Sequence, residues 1–242
     1  MSEEVSELKR ALGLGYTTLF GVGLILGAGI YALIGRPGAY VGDAIWLSVL
    51  FATFIALLTG LSYAEFASMF PKAASSHTYV RETFPGREEI AFLSGWLITF
   101  EGIAGAATAA VGFAGYFVAL LGLPRTYILI VAVLLLALLT LVNWWGVKES
   151  AVMIAAFTAV ETSGLIFVAL LGFLRPTNPA PKYLEVPSGG MSLAIMAVLA
   201  GAALFYFAFT GFELQPTLAE EAKNPKRTVP IAIILALLIC SA

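Results

Sequence analysis

Residues 13–35 read GLGYTTLFGVGLILGAGIYALIG. The stretch carries no charge, and it is long enough to cross ~30 Å of hydrocarbon at ~1.5 Å per residue. Its glycines are Gly13, Gly15, Gly21, Gly23, Gly27, Gly29 and Gly35, and the cluster Gly27-Ala28-Gly29 falls where a span would be mid-membrane. Glycine weakens a helix by about 1 kcal/mol against alanine, so two within three residues make local unwinding cheap. Unwound backbone in a bilayer leaves N–H and C=O groups that are costly unless something binds them. Freed N–H groups at a half-helix start, where the dipole is positive, suit a carboxylate. Small residues four apart, such as Gly23 and Gly27, equally let two helices touch. Glycine content alone leaves both readings open. A dinucleotide-binding reading fails, because no strand precedes the glycines and no acidic residue follows at the right place.

The rest of the chain repeats the apolar pattern. Hydrophobic residues make up 60% of 242 and charged residues 12%, the latter roughly half the soluble norm. Polar positions fall between runs long enough to span. We expect an all-α integral membrane protein with spans near 13–34, 44–68, 89–121, 126–143, 150–173 and 191–219. A seventh run from Val229 to Ala242 is too short to cross, so a fragment or a truncated reading frame is expected. Residues 1–12 form a polar N-terminal segment without the basic start and cleavage site of a signal peptide, so the first run should stay in the membrane. The domain expectation is one transmembrane domain over 13–242, a first five-helix repeat over about 13–173 and the start of a second over about 191–242. A net charge of −2 gives no reason to expect nucleic acid. Cys240 is the single cysteine, and no metal-ligand cluster or nucleophile–base pair stands out, so neither enzyme chemistry nor a cofactor is expected.

Basic residues set the orientation. With the N-terminus inside, cytoplasmic segments hold Lys9, Arg10, Lys72, Arg81, Arg87, Lys148, Lys223, Lys226 and Arg227, and outer loops hold Arg36, Arg125, Arg175 and Lys182. Nine against four obeys the positive-inside rule. The expectation is a multi-pass cell-membrane protein with a cytoplasmic N-terminus. Pro37-Gly38, Pro71, Pro85-Gly86, Pro124 and the stretch from Pro176 to Pro187 mark turns.

The sixth span is interrupted too. In ALFYFAFTGFELQPTLAEE, Thr210-Gly211 lies mid-span with Glu213 and Pro216 close behind. Pro216 removes a helix hydrogen bond and crowds the preceding turn. A carboxylate at Glu213 costs a few kcal/mol unless it lines a cavity or finds a partner. Interrupted spans at positions one and six match inverted repeats of five spans, with a ligand site between the two breaks.

Here the chain resembles the amino acid–polyamine–organocation (APC) superfamily. GAGIY at Gly27–Tyr31, LSYAEFASMFPKAASSHTYV at Leu61–Val80, NWWGVKESA at Asn143–Ala151, and FYFAFTGFE with EEAKNPKRTVP ending at Pro230 resemble its motifs in order. Ala74, Ser75 and Ser76 stand where the family usually has two glycines, and the family's later spans are absent. The resemblance implies a LeuT-like inverted-repeat transporter fold, truncated, with broken first and sixth helices. It implies a secondary active transporter for an amino acid or related organic cation, working by alternating access and coupled to an H⁺ or Na⁺ gradient. The alternative is a truncated or structural membrane protein that does not transport alone. The partners implied are a small amino acid or amine and the lipid bilayer; oligomeric state is left open.

On the same resemblance, the substrate carboxylate would be held by N–H groups at Gly27, Ala28 and Gly29, with Ile30 beside them. The amine would meet carbonyls of Phe207, Ala208 and Thr210. Phe209 and Phe212 would shape the side-chain pocket or simply pack. Glu161 falls where some proton-coupled members carry a lysine, which implies ion coupling; a hydrogen-bonded structural carboxyl is the other reading. Glu101 and Glu161 each lie about 12 residues into a span, ~18 Å deep, and an ionisable group there is a functional hypothesis by default. Glu101 and Glu213 are read as gate or cavity carboxylates, and the small residues following Glu101, from Gly102 to Gly112, as a close helix contact. Glu65 sits near a span end, within reach of interfacial water. His77 is read as a solvated loop residue, and Lys223-Asn224-Pro225-Lys226-Arg227 as a contact for anionic lipid or a topology anchor.

Overall fold

The computed structural model describes residues 10–73, 76–145, 147–175, 182–187 and 189–242. Most of the N-terminal segment, Ala74 and Ser75, and most of the proline-rich stretch from Pro176 to Pro187 lie outside these residues. Ten α-helices follow in order: α1 Leu14–Ile25, α2 Ala28–Leu33, α3 Gly35–Val41, α4 Ile45–Met69, α5 Ser76–Thr83, α6 Glu88–Leu120, α7 Ile128–Trp145, α8 Val147–Leu174, α9 Met191–Phe209 and α10 Pro225–Ser241. Short 3-10 turns occupy Gly42–Ala44, Arg125–Tyr127 and Phe212–Leu218. Six candidate spans are long and apolar enough to cross a membrane: Leu14–Tyr31, Gly35–Met69, Glu88–Leu120, Arg125–Trp144, Ala156–Leu174 and Met191–Leu218. Hydrocarbon leaves the backbone no partner but itself, so apolar runs of this length become helices.

Two boundaries differ from expectation, each at a proline. Pro37 does not open a loop. It occupies the first turn of α3, where its missing N–H has no acceptor to lose, and the chain turns instead at Gly42, φ 65°. The last helix starts at Pro225 rather than near Val229, because Asn224 takes the left-handed conformation and Pro225 sits at the helix start. Pro230 is accommodated inside that helix.

The chain divides into two compact units. The first comprises Met1–Ile25, Leu50–Ile98 and Phe209–Ala242; the second comprises Leu26–Val49 and Thr99–Ala208. The chain leaves the first unit after Ile25, returns to it over Leu50–Ile98, and re-enters it at Phe209.

In the first unit, α1 packs along α10 and the 212–218 turn. Val229, Ile233 and Leu237 of α10 are fully buried, and the Leu237 side chain packs on Gly60 of α4. Leu12 pairs with Ala222 as a parallel bridge: its N–H donates to Glu221 O at 3.0 Å, and its carbonyl accepts from Lys223 N–H at 2.7 Å. The segment expected as a polar loop contains α5. Its Tyr79 is buried, stacked on Phe66 with centroids 5.3 Å apart, and burial pushes its phenol above the ordinary tyrosine range, helped by Tyr63. His77 is half-buried rather than solvated, with Nδ1 2.7 Å from Ala91 O and its ring against Gly95.

In the second unit, Ser48 Oγ donates to Val198 O at 2.9 Å and packs on Gly201, and Trp46 Nε1 donates to Tyr183 O at 2.7 Å. The small-residue contact of α6 lies further along than expected. Gly102 and Gly105 face open space, whereas Ala110 and Ala114 are buried against Ala132 of α7. Residues four apart share a face, and it is the 110–114 stripe that meets α7.

Ala114→Leu is therefore expected to lower stability by about 1–3 kcal/mol through overpacking. Gly102→Ala should be neutral or stabilising by up to about 1 kcal/mol. Thermal unfolding of the detergent-purified chain checks both.

Candidate functional site

Both interruptions expected from sequence are present. The first span stops at Ile25 and restarts at Ala28, with Leu26 and Gly27 outside helix. Gly27 is extended, φ −148° and ψ −175°, and is the N-cap of α2 without a side-chain capping bond. The first-turn N–H groups of a helix have no acceptor within it, and those of α2 belong to Ala28, Gly29 and Ile30. The sixth span stops at Phe209, turns through Thr210 and Gly211, and continues as the tighter 212–218 turn containing Pro216. Gly211 has φ 120°, a conformation that L side chains rarely adopt.

Within the second unit, the two spans touch at Gly29. A Cβ there would lie 2.9 Å from Ala208 Cα and 3.1 Å from its Cβ. Gly27, Ala28, Gly29, Ile30, Phe207 and Ala208 all belong to this unit. Glu161, on α8, also belongs to it and is half-buried. Its Oε1 is buried without a hydrogen-bond partner, and its carbonyl accepts from the Tyr31 hydroxyl at 2.7 Å. Tyr31 sits so close to Gly164 that a Cβ there would come within 2.9 Å of the hydroxyl. Tyr116 of α6 donates to the Tyr31 carbonyl at 2.8 Å. The second half of the first span is thus tied to α6 and α8 through Tyr31. Glu101, by contrast, is exposed on α6.

Within the first unit the two spans meet again. Gly211 lies on the Leu24 carbonyl, whose carbon would be 2.8 Å from a Cβ at that position, with Ile25 N at 3.3 Å. The Gly211 N–H donates to both carboxylate oxygens of Glu213, at 2.9 and 2.8 Å. The buried cost of this carboxylate is offset by capping the interruption it follows. Gln215 is fully buried against Gly21 and donates from Nε2 to Thr17 O at 2.9 Å. Phe209 and Phe212 are buried, and Phe212 meets Tyr63 edge-on with centroids 5.6 Å apart. Thr210 belongs to this unit and is half-buried.

Sequence reasoning missed Gln215, Tyr31 and Tyr116 as positioning groups. For Gln215 the signal was present: an amide beside a proline in an apolar span needs a polar partner. Among the described residues no cluster of His, Cys, Asp and Glu could hold a metal ion.

Residues 12–242 match the amino acid permease family. The chain is 33% identical over 257 residues to a branched-chain amino acid permease of Bacillus subtilis (strain 168), covering 97% of this chain and 52% of that protein. It is 32% identical over 250 residues to the vacuolar cationic amino acid transporter 4 of Arabidopsis thaliana, covering 97% and 41%. It is 29% identical over 253 residues to a methylthioribose transporter of the same Bacillus, covering 97% and 53%. The chain thus spans about half the length, or less, of these relatives.

Gly211→Ala is expected to destabilise by about 1–3 kcal/mol, because the strained φ and the Leu24 carbonyl both oppose a side chain. Gln215→Leu should cost about 1 kcal/mol, the net worth of its hydrogen bond. Both are read as shifts of the unfolding temperature in detergent.

Proposed function

We propose, from the premise that this chain belongs to the amino acid permease family, that it serves secondary transport of an amino acid or related organic cation. It is a multi-pass membrane protein, and our reading places it in the cell membrane with its N-terminus in the cytoplasm. Alternating access is the mechanism, driven by an H⁺ or Na⁺ gradient. The observation that carries the reading is the close approach of Gly29 to Ala208 beside two interrupted spans. Interrupted helices expose main-chain donors and acceptors where a zwitterion needs them.

In this reading the N–H groups of Gly27, Ala28 and Gly29 receive the carboxylate, with Ile30 completing the first turn of α2. The partial positive charge at a helix start favours the anion. The amine faces the carbonyl end of α9 at Phe207 and Ala208, where the dipole favours a cation. Glu161 couples the ion, supported by a buried oxygen without a protein partner and by the bond from Tyr31 to its main chain. Glu213 serves the gate by holding the Gly211 N–H.

The test is uptake of radiolabelled amino acids into proteoliposomes holding the protein in its full-length context, with imposed H⁺ or Na⁺ gradients. Gradient-driven accumulation is expected. Gly29→Val should reduce it by about tenfold or more, equivalent to ~1.4 kcal/mol. Glu161→Gln should abolish the dependence on the gradient while substrate binding persists. Accumulation unchanged in Gly29→Val would remove the proposed cradle, and unchanged coupling in Glu161→Gln would remove the ion role.

A further inference from the structure

The first unit carries a cleft of about 560 Å³ whose described lining is Arg10, Pro71, Asn224, Pro225, Lys226 and Arg227. Three cations from two distant parts of the chain converge there. Arg10 precedes the first span, Lys226 and Arg227 open α10, and Pro71 follows the end of α4. All three basic side chains are exposed, and among the described residues none takes part in a salt bridge. Among the described residues no acid lines the cleft, and the Glu220 carboxylate accepts from Ala73 N–H at 3.2 Å. Among the described residues the cleft is therefore a concentration of positive charge without a salt-bridged counter-ion. Like charges brought together repel, and an anion placed among them relieves that repulsion.

We propose that this cleft binds the phosphate headgroup of an anionic phospholipid. The inference rests on the orientation proposed above, which puts the end of α4 and the starts of α1 and α10 at the cytoplasmic leaflet, where anionic lipids attract basic residues. Charge complementarity makes the occupant an anion, and the position at the end of the spans favours a lipid headgroup, whose charge is a phosphate, over a soluble ion. The site adjoins the Leu12–Ala222 bridge, the backbone tie between the entry to the first span and the loop before α10. A headgroup contacting Arg10 on one side of that tie and Lys226 and Arg227 on the other holds the tie closed. The lipid thereby stabilises the inner end of the first span against opening.

The experiment titrates the full chain in detergent with phosphatidylglycerol, phosphatidylcholine or inorganic phosphate, reading the unfolding temperature and, by native mass spectrometry, retained lipid. Phosphatidylglycerol is expected to raise the unfolding temperature and to be retained in preference to phosphatidylcholine. In Lys226→Gln/Arg227→Gln the half-maximal concentration should rise about tenfold or more, and Arg10→Gln should shift it in the same direction. The charge-preserving pair Lys226→Arg/Arg227→Lys, and Arg36→Gln in the other unit, should keep the wild-type response. Equal retention of the two lipids by the wild type would overturn the proposal without reference to any variant. So would an unchanged response in the glutamine double variant, or loss of the response in the charge-preserving pair. Full stabilisation by inorganic phosphate alone would overturn the lipid assignment in favour of a soluble anion. None of these readouts involves transport, so failed uptake and failed lipid binding are distinguishable.

Discussion

A peptide group without a hydrogen-bond partner in hydrocarbon costs several kcal/mol. Every interruption of a spanning helix must therefore be repaid locally, and the described residues hold one in the first span and one in the sixth. At Gly211 the repayment is internal: the Glu213 carboxylate accepts the exposed N–H. At Gly27 the N-cap has no side-chain partner, and the first turn of α2 follows directly. One break is capped by its own sequence neighbour, and the other presents donors without a side-chain cap.

Glycines make these breaks usable because they allow close approach as well as bending. Gly29 admits Ala208, Gly21 admits the Gln215 amide, and Gly211 rests on the Leu24 carbonyl. Each contact joins the first span to the sixth, and each lies within a single compact unit. The packing reading and the unwinding reading of the first-span glycines are thus both realised, by different residues. Gly27 lies in the unwound turn, while Gly21 in α1 and Gly29 in α2 serve contact with Gln215 and Ala208. Glycine content alone leaves this division undetermined, because both uses demand the same absence of a side chain.

Much of the architecture was legible in advance. The six spans fall close to the expected ranges, and both interruptions lie at the expected residues. Local rules failed at prolines whose neighbours changed their meaning: Pro37 begins a helix where a turn was expected, and Pro225 starts α10 ahead of Pro230. Proline is a strong local signal, but whether it opens a helix or ends one depends on the conformation of the preceding residue. Failure also came at α5, too short and polar for its apolar pattern to register; only packing on Phe66 and on Ala91 gives Tyr79 and His77 their places.

By itself the sequence determined which segments lie in the membrane and where the two spans break, because these depend on apolar length and on helix energetics over a few neighbouring residues. Tertiary structure alone decided the partners. Gln215 reaches Thr17, Tyr31 reaches Glu161, and Arg10 joins Lys226 and Arg227 at one cleft. These groups are separated by most of the chain, and no local term in the free energy distinguishes one distant partner from another until the helices have packed.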